Sequence, residues 1–369
     1  MSDMTIHLDA PDIGAVEKAK VLEAMDIGYV STFGPLVGEF ERQFAARAGA
    51  AQAVAMQSGT AALHLALHLL GVKTGDEVII PSLTFAATLH AVMYVGATPV
   101  IVDVDPQTWC LSPQALSAAI TPKTKAVMPV HLYGNVCDMM AINTVAKKAG
   151  IYVVEDATES LGAYFHGQHT GLLGDIGCVS FNGNKLITTG SGGMMVARSS
   201  DLLRRAVYLI NQANPREGMD GFQEVGFNYR MPNMNAALGM AQFSRLDSFL
   251  ALKKAFHRIY QLRLGDSGLC VMQKAHEGID PSWWFTAVLF KDQAEAAAVQ
   301  AALKEKGIPS RRLFRPLETF PYATGFCSRR CVNAEMLYAR GLCLPSSTLN
   351  TEASIGRVCD TIADAVMKI

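Results

Sequence analysis

From about residue 50 to residue 197, short β-branched apolar runs alternate with segments whose apolar positions recur at helical spacing. The runs 53–56, 77–80, 99–104, 126–130, 151–154, 178–181 and 193–197 predict strands, and 60–70, 86–95, 112–120 and 139–149 predict the helices between them. Repeated units of this kind build an α/β fold with a mixed, mostly parallel sheet and helices on its faces. Past Arg198 the pattern lengthens: 201–211 and 233 to about 264 predict long helices. A second group of short elements follows, with 283–290 as its clearest strand and 293–306 as its clearest helix. The chain therefore divides into a large domain over residues 1–250 and a smaller α+β domain over 251–369.

Composition narrows the function classes. Of 369 residues, 50% are hydrophobic and the net charge is −1, so no basic surface points to nucleic acid as a partner. No run approaches the roughly 18 apolar residues of a membrane span, and the start, with Asp3, His7 and Asp9, does not read as a secretory signal. A cytoplasmic location is the expectation. Eight cysteines are scattered, and Cys327 and Cys331 are the one close pair. A zinc site would need two further ligands that do not cluster nearby in sequence, so no metal is expected. His64 and His68 are spaced like helix-borne zinc ligands, but Leu65 stands where a zinc protease carries its glutamate.

Three segments carry candidate chemistry. Gln57-Ser58-Gly59-Thr60 ends a strand and opens a helix, where Gly59 lets a phosphate approach the backbone and Thr60 can offer a hydroxyl. Asp156 ends the run 151–154 on the carboxyl side, where ligand-binding groups of open α/β sheets collect, and Glu159 lies three residues on. Lys185 follows the strand ending at Phe181, bracketed by Gly183, Gly190, Gly192 and Gly193, with Ser180 at the strand end. Singly, each reads as a cap, a solvated turn or a surface charge. Together they supply an amine for an aldehyde, a carboxylate for a pyridine nitrogen and N–H groups for a phosphate, which are the needs of pyridoxal phosphate.

The ordered segments Gly28-Tyr29-Val30-Ser31-Thr32-Phe33-Gly34-Pro35, Pro81-Ser82-Leu83-Thr84-Phe85, Pro129-Val130-His131-Leu132-Tyr133-Gly134, Glu155-Asp156-Ala157, Gly226-Phe227-Asn228-Tyr229-Arg230-Met231 and Leu344-Pro345-Ser346-Ser347 join these three. With them the chain resembles, over nearly its whole length, the DegT-type sugar aminotransferases, pyridoxal-phosphate enzymes of the aspartate-aminotransferase fold (fold type I). The resemblance implies that Lys185 is the lysine joined to the cofactor and Asp156 the partner of its pyridine nitrogen. It implies phosphate contacts from Gly59, Thr60 and Ser180, a stacking ring from Phe85, and Asn228 reaching the cofactor of a neighbouring subunit in a homodimer with shared active sites. Glu159 stands near the cofactor's phenolic oxygen, where many relatives carry glutamine or histidine. Arg230, His131 and Tyr133 are the candidate substrate contacts.

The implied reaction moves an amino group from L-glutamate, leaving 2-oxoglutarate, to a nucleotide-linked keto sugar. The lead-in Asn182-Gly183-Asn184-Lys185 is most similar to enzymes acting on UDP-linked 4-keto-6-deoxy-2-acetamido hexoses. A different keto sugar, a keto-inositol or a sugar acid is the nearest alternative, and a non-catalytic pyridoxal-phosphate-binding regulator the alternative from another class. Relatives often read Pro-Leu-His where this chain has Pro316-Leu317-Glu318, so a substrate-side histidine is missing.

Overall fold

A computed structural model describes residues 5–214, 221–327 and 329–368. Its strands are β1 (Ala53–Met56), β2 (Glu77–Pro81), β3 (Thr98–Val102), β4 (Thr124–Val127), β5 (Tyr152–Asp156), β6 (Tyr164–Phe165), β7 (Gln168–His169), β8 (Ile176–Ser180), β9 (Gly193–Ala197), β10 (Val271–Met272), β11 (Ile279–Asp280), β12 (Ala287–Leu289), β13 (Arg311–Arg312) and β14 (Gly341–Cys343). The principal sheet runs β1-β9-β8-β5-β4-β2-β3. Its pairs are parallel except those of β9, which runs antiparallel to both neighbours. Strands β1, β8 and β9 are buried along their whole length, as expected where helices cover both faces.

The helices are α1 (Ala15–Asp26), α2 (Pro35–Ala48), α3 (Gly59–Leu69), α4 (Ala86–Tyr94), α5 (Pro113–Ala119), α6 (Met139–Ala149), α7 (Ser200–Ile210), α8 (Asn233–Ser244), α9 (Leu246–Tyr260), α10 (Gln293–Glu305), α11 (Val332–Arg340) and α12 (Glu352–Val366). The long helix expected from 233 to about 264 is broken at Arg245, whose guanidinium turns to Asp12 and Glu17, and ends in a π-turn at Gln261–Gly265. The strand expected over 283–290 shrinks to β12. Before it, Trp283 takes a positive φ of 47°, and the N–H groups of Ser282 and Phe285 go to Gly134 and Tyr133 instead of a ladder. That detour turns Trp284 toward the sheet edge.

Two cores result. One surrounds the seven-stranded sheet; the other packs Phe256, Val288, Val299, Ile355 and Ile362 around the four-stranded sheet β10-β12-β14-β13. Ile6 of the N-terminal segment belongs to the second core. Lys253 is buried between the cores, its ammonium donating to the carbonyls of Trp284 and Ser346, and burial pushes its pKa down to about 7.

Candidate active site

The carboxyl ends of β1, β5 and β8 open on one edge of the sheet, and the segments that follow them converge there. After Met56 the chain turns into α3, whose cap is Ser58: its Oγ accepts the N–H of Ala61 at 3.0 Å. Gly59 and Thr60 line a cavity of about 260 Å³ at that helix start. The first-turn N–H groups of a helix have no intrahelical acceptor, so this wall favours an anion. Close packing puts the loop there. A Cβ on Gly59 would stand 2.8 Å from the Ser180 Cβ, and one on Gly193 would stand 2.6 Å from the Ser58 carbonyl.

Asp156 ends β5 and is 2% exposed. Its Oδ2 accepts the Thr88 hydroxyl at 2.7 Å and its Oδ1 accepts the Thr158 N–H at 3.2 Å, so the carboxylate is fixed from both sides just beneath the cavity wall formed by Thr158 and Glu159. Glu159 is buried, with Oε2 accepting the Tyr133 N–H at 3.0 Å and Oε1 accepting the Lys185 ammonium at 3.3 Å. Burial raises its pKa, and the Lys185 charge and the Tyr133 N–H oppose that rise only in part.

Lys185 projects into the cavity from the loop after β8. Its Nζ lies 4.0 Å from the centroid of the Trp284 ring. An aromatic face beneath an ammonium is worth about 0.5–2 kcal/mol. Trp284 is held in turn by its indole N–H, which donates to the Asn184 carbonyl at 2.8 Å. The opposite wall is Phe85, 58% exposed, with its ring 5.9 Å from that of Phe314. Arg311 completes the mouth, its guanidinium over the Phe285 ring at 4.8 Å.

Gly59, Thr60, Phe85, Glu159, Ser180 and Lys185 therefore surround one cavity; Asp156 does not itself line it but is bonded to the lining residue Thr158. Asn228 and Arg230 do not line it within a single chain: Asn228 is exposed and bridges to Asn211, and the Arg230 Nε donates to the Thr32 carbonyl at 2.9 Å. His131 and Tyr133, expected to face substrate, are corrected by their burial. Both are 0% exposed. His131 gives Nε2 to Glu155 at 2.9 Å while Nδ1 accepts the Cys137 N–H, and the Tyr133 hydroxyl accepts the Phe314 N–H at 2.9 Å. Their polar atoms are spent inward, so they brace the walls instead of meeting a ligand. Glu155 is likewise structural, gathering the N–H groups of Gly171, Leu173 and Gly174.

Asn184, Ser191, Arg311 and Phe314 also line the cavity and were not anticipated. The basic pair Arg311-Arg312 followed by Leu313-Phe314, just ahead of Arg315-Pro316-Leu317-Glu318, was the available signal for the last two.

The residues fit pyridoxal phosphate on the structure's own terms: an ammonium inside the cavity, an anchored carboxylate behind it, and a helix N-terminus pressed against Ser180. Comparison with known proteins agrees. Residues 11–363 match the model of the DegT/DnrJ/EryC1/StrS aminotransferase family. A GDP-perosamine synthase of Caulobacter vibrioides is 42% identical over 97% of this chain and 98% of that protein. One of Escherichia coli O157:H7 is 36% identical over 95% and 96%. A candidate sugar aminotransferase from Streptococcus pneumoniae, solved in its PMP form, superposes with a TM-score of 0.94 at 26% identity over 99% of this chain and 98% of that one. The chain thus belongs to the DegT/DnrJ/EryC1/StrS aminotransferase family and is a pyridoxal-phosphate-dependent aminotransferase of fold type I.

Proposed function

We propose that the chain moves an amino group from L-glutamate to a nucleotide-linked keto sugar, as a homodimer with shared active sites. The observation that carries this reading is the meeting of Lys185, Glu159 and the Gly59–Thr60 helix start around one cavity backed by Asp156. Bound pyridoxal phosphate would supply an electron-withdrawing ring that stabilises negative charge on the carbon losing its proton. Lys185 is the group that takes and returns that proton at Nζ, since no other amine lines the cavity among the described residues. Asp156 would keep a positive charge on the ring nitrogen of the bound cofactor. Gly59, Thr60 and Ser180 would hold its phosphate and Phe85 would cover its ring, while Trp284 carries the Lys185 ammonium when it is free.

The relatives named GDP-perosamine synthases support a guanosine-diphosphate carrier for the sugar in place of the uridine-diphosphate carrier that the Lys185 lead-in suggested. Support for a dimer comes from the exposed apolar side chains Tyr29, Val30 and Phe33. They lie on the segment whose Tyr29 and Ser31 carbonyls accept from Asn233 and whose Thr32 carbonyl accepts from Arg230. A second copy covering them would bring Asn228 and Arg230 toward a neighbouring cavity.

The test is a glutamate-dependent amination assay on paired GDP-linked and UDP-linked 4-keto-6-deoxy sugars, with 2-oxoglutarate as the readout. Turnover of the GDP-linked substrate above the UDP-linked one is the expected result. Turnover of neither, with the cofactor spectrum unmoved by L-glutamate, would favour a binding protein without catalysis.

A further inference from the structure

We propose that Glu318, Cys327 and Cys331 form a site for a soft divalent cation of the zinc type, outside the catalytic cavity. Glu318 lies on the 3-10 turn Leu317–Thr319, and Cys331 caps α11. One ligating atom from each of the three residues falls within 4.8 Å of the others. Both cysteines are free thiols, and their sulfurs stand 3.5 Å apart. A tetrahedral zinc with bonds of about 2.3 Å holds two sulfurs about 3.8 Å apart, so the pair is already close to the spacing a cation requires. A disulfide would need the sulfurs to approach to about 2.05 Å.

The second observation is the carboxylate itself. Glu318 Oε2 accepts the Ser82 hydroxyl at 2.6 Å, whereas Oε1 is buried without a hydrogen-bond partner among the described residues. Leaving a buried acceptor unpaired is costly, and a cation would satisfy it. Cys331 is buried like the other six cysteines, but it and the half-buried Cys327 line a surface cavity together with Glu318, Thr324 and Arg329. The nearby Arg330 is committed to Glu335, so it does not neutralise Glu318.

Thiolate and carboxylate ligands together suit zinc and its analogues better than magnesium or calcium. Binding is balanced by proton release: each coordinated thiol gives up one proton to solvent. The fourth position would hold water. Such a cation would tie the 317–319 turn to the start of α11. The Leu317 N–H donates to the Ser82 carbonyl and the Phe326 carbonyl accepts from Ile101, so the staple would also fix this segment against the ends of β2 and β3. Phe314, three residues ahead of the turn, is a wall of the catalytic cavity.

The experiment uses the full-length protein, reduced and stripped with chelator, then titrated with Co²⁺ as probe. A thiolate-to-cobalt charge-transfer band saturating at one cobalt per chain and displaced by Zn²⁺ is the expected result. The band should vanish in Cys327→Ser and in Cys331→Ser, weaken in Glu318→Gln, and survive in Cys359→Ser, with circular dichroism confirming that each variant is folded. No band in the reduced protein, a band that persists in the Cys327→Ser/Cys331→Ser double variant, or isolation of the chain with these two cysteines already joined would each overturn the proposal.

Discussion

The Lys185 ammonium lies 3.3 Å from Glu159 Oε1, and Glu159 is the more deeply buried of the two, at 2% side-chain exposure against 13%. The carboxyl therefore bears most of the desolvation. With its pKa raised above the ordinary 4.5, Glu159 contributes stability that is complete below that value and is lost as pH rises through its folded-state pKa. Glu159→Gln removes the titration. The melting temperature of the variant should gain on the native chain as pH climbs above 4.5 and show no such gain below it. Parallel stability curves across that range would mean that this carboxyl does not titrate as its surroundings imply.

Lys185→Ala should abolish borohydride-fixed attachment of the cofactor and lower turnover by about 10³-fold or more, since nucleophile and proton carrier are lost together. Mass spectrometry after reduction checks the first part. An adduct persisting at another lysine would displace Lys185 from its role.

Asp156→Asn keeps the shape of the side chain and both neighbours, Thr88 and Thr158, but removes the charge. Turnover should fall by about 10²–10³-fold, the range seen when one electrostatic stabiliser of a reacting group is deleted, with little change in KM for glutamate. Steady-state kinetics decide it, and a variant within a few-fold of the native rate would exclude the pyridine-nitrogen role.

Gly193→Ala should destabilise by about 1–3 kcal/mol, because its Cβ would stand 2.6 Å from the Ser58 carbonyl and 2.8 Å from the Gly59 nitrogen. Cofactor affinity should drop with it, as the strained atoms belong to the phosphate-facing helix start. Gly183→Ala, with nothing within 4 Å of the added carbon, is the stability control. Urea unfolding and a fluorescence titration with pyridoxal phosphate measure the two effects, and equal stability of the two variants would contradict the packing argument.

What was legible in the chain followed its local periodicity. The strands of the seven-stranded sheet read as apolar runs because they are buried on both faces, and Asp156, Ser180 and Lys185 could be placed because they follow such runs directly. Arg311 reaches the cavity from β13 of the second sheet, and Trp284 from the segment ahead of β12, after a positive φ at Trp283 that no periodicity encodes. His131 and Tyr133 were misread for a related reason. Neighbouring a recognisable segment says nothing about which way a side chain turns, and the buried Glu155 and the Phe314 N–H draw these two inward. Glu318 meets Cys327 and Cys331 only because an irregular loop folds back, so spacing along the chain hid that cluster.

The position of β1 at the margin of the sheet, with β9 as its one strand neighbour among the described residues, has a consequence for biosynthesis. A nascent chain that has emerged through Met56 must wait for Ala197 before that strand acquires its neighbour, and for Trp284 before the lysine ammonium acquires its ring. Every wall of the catalytic cavity is therefore in hand only once translation has passed Phe314, long after the strand that leads into it was made.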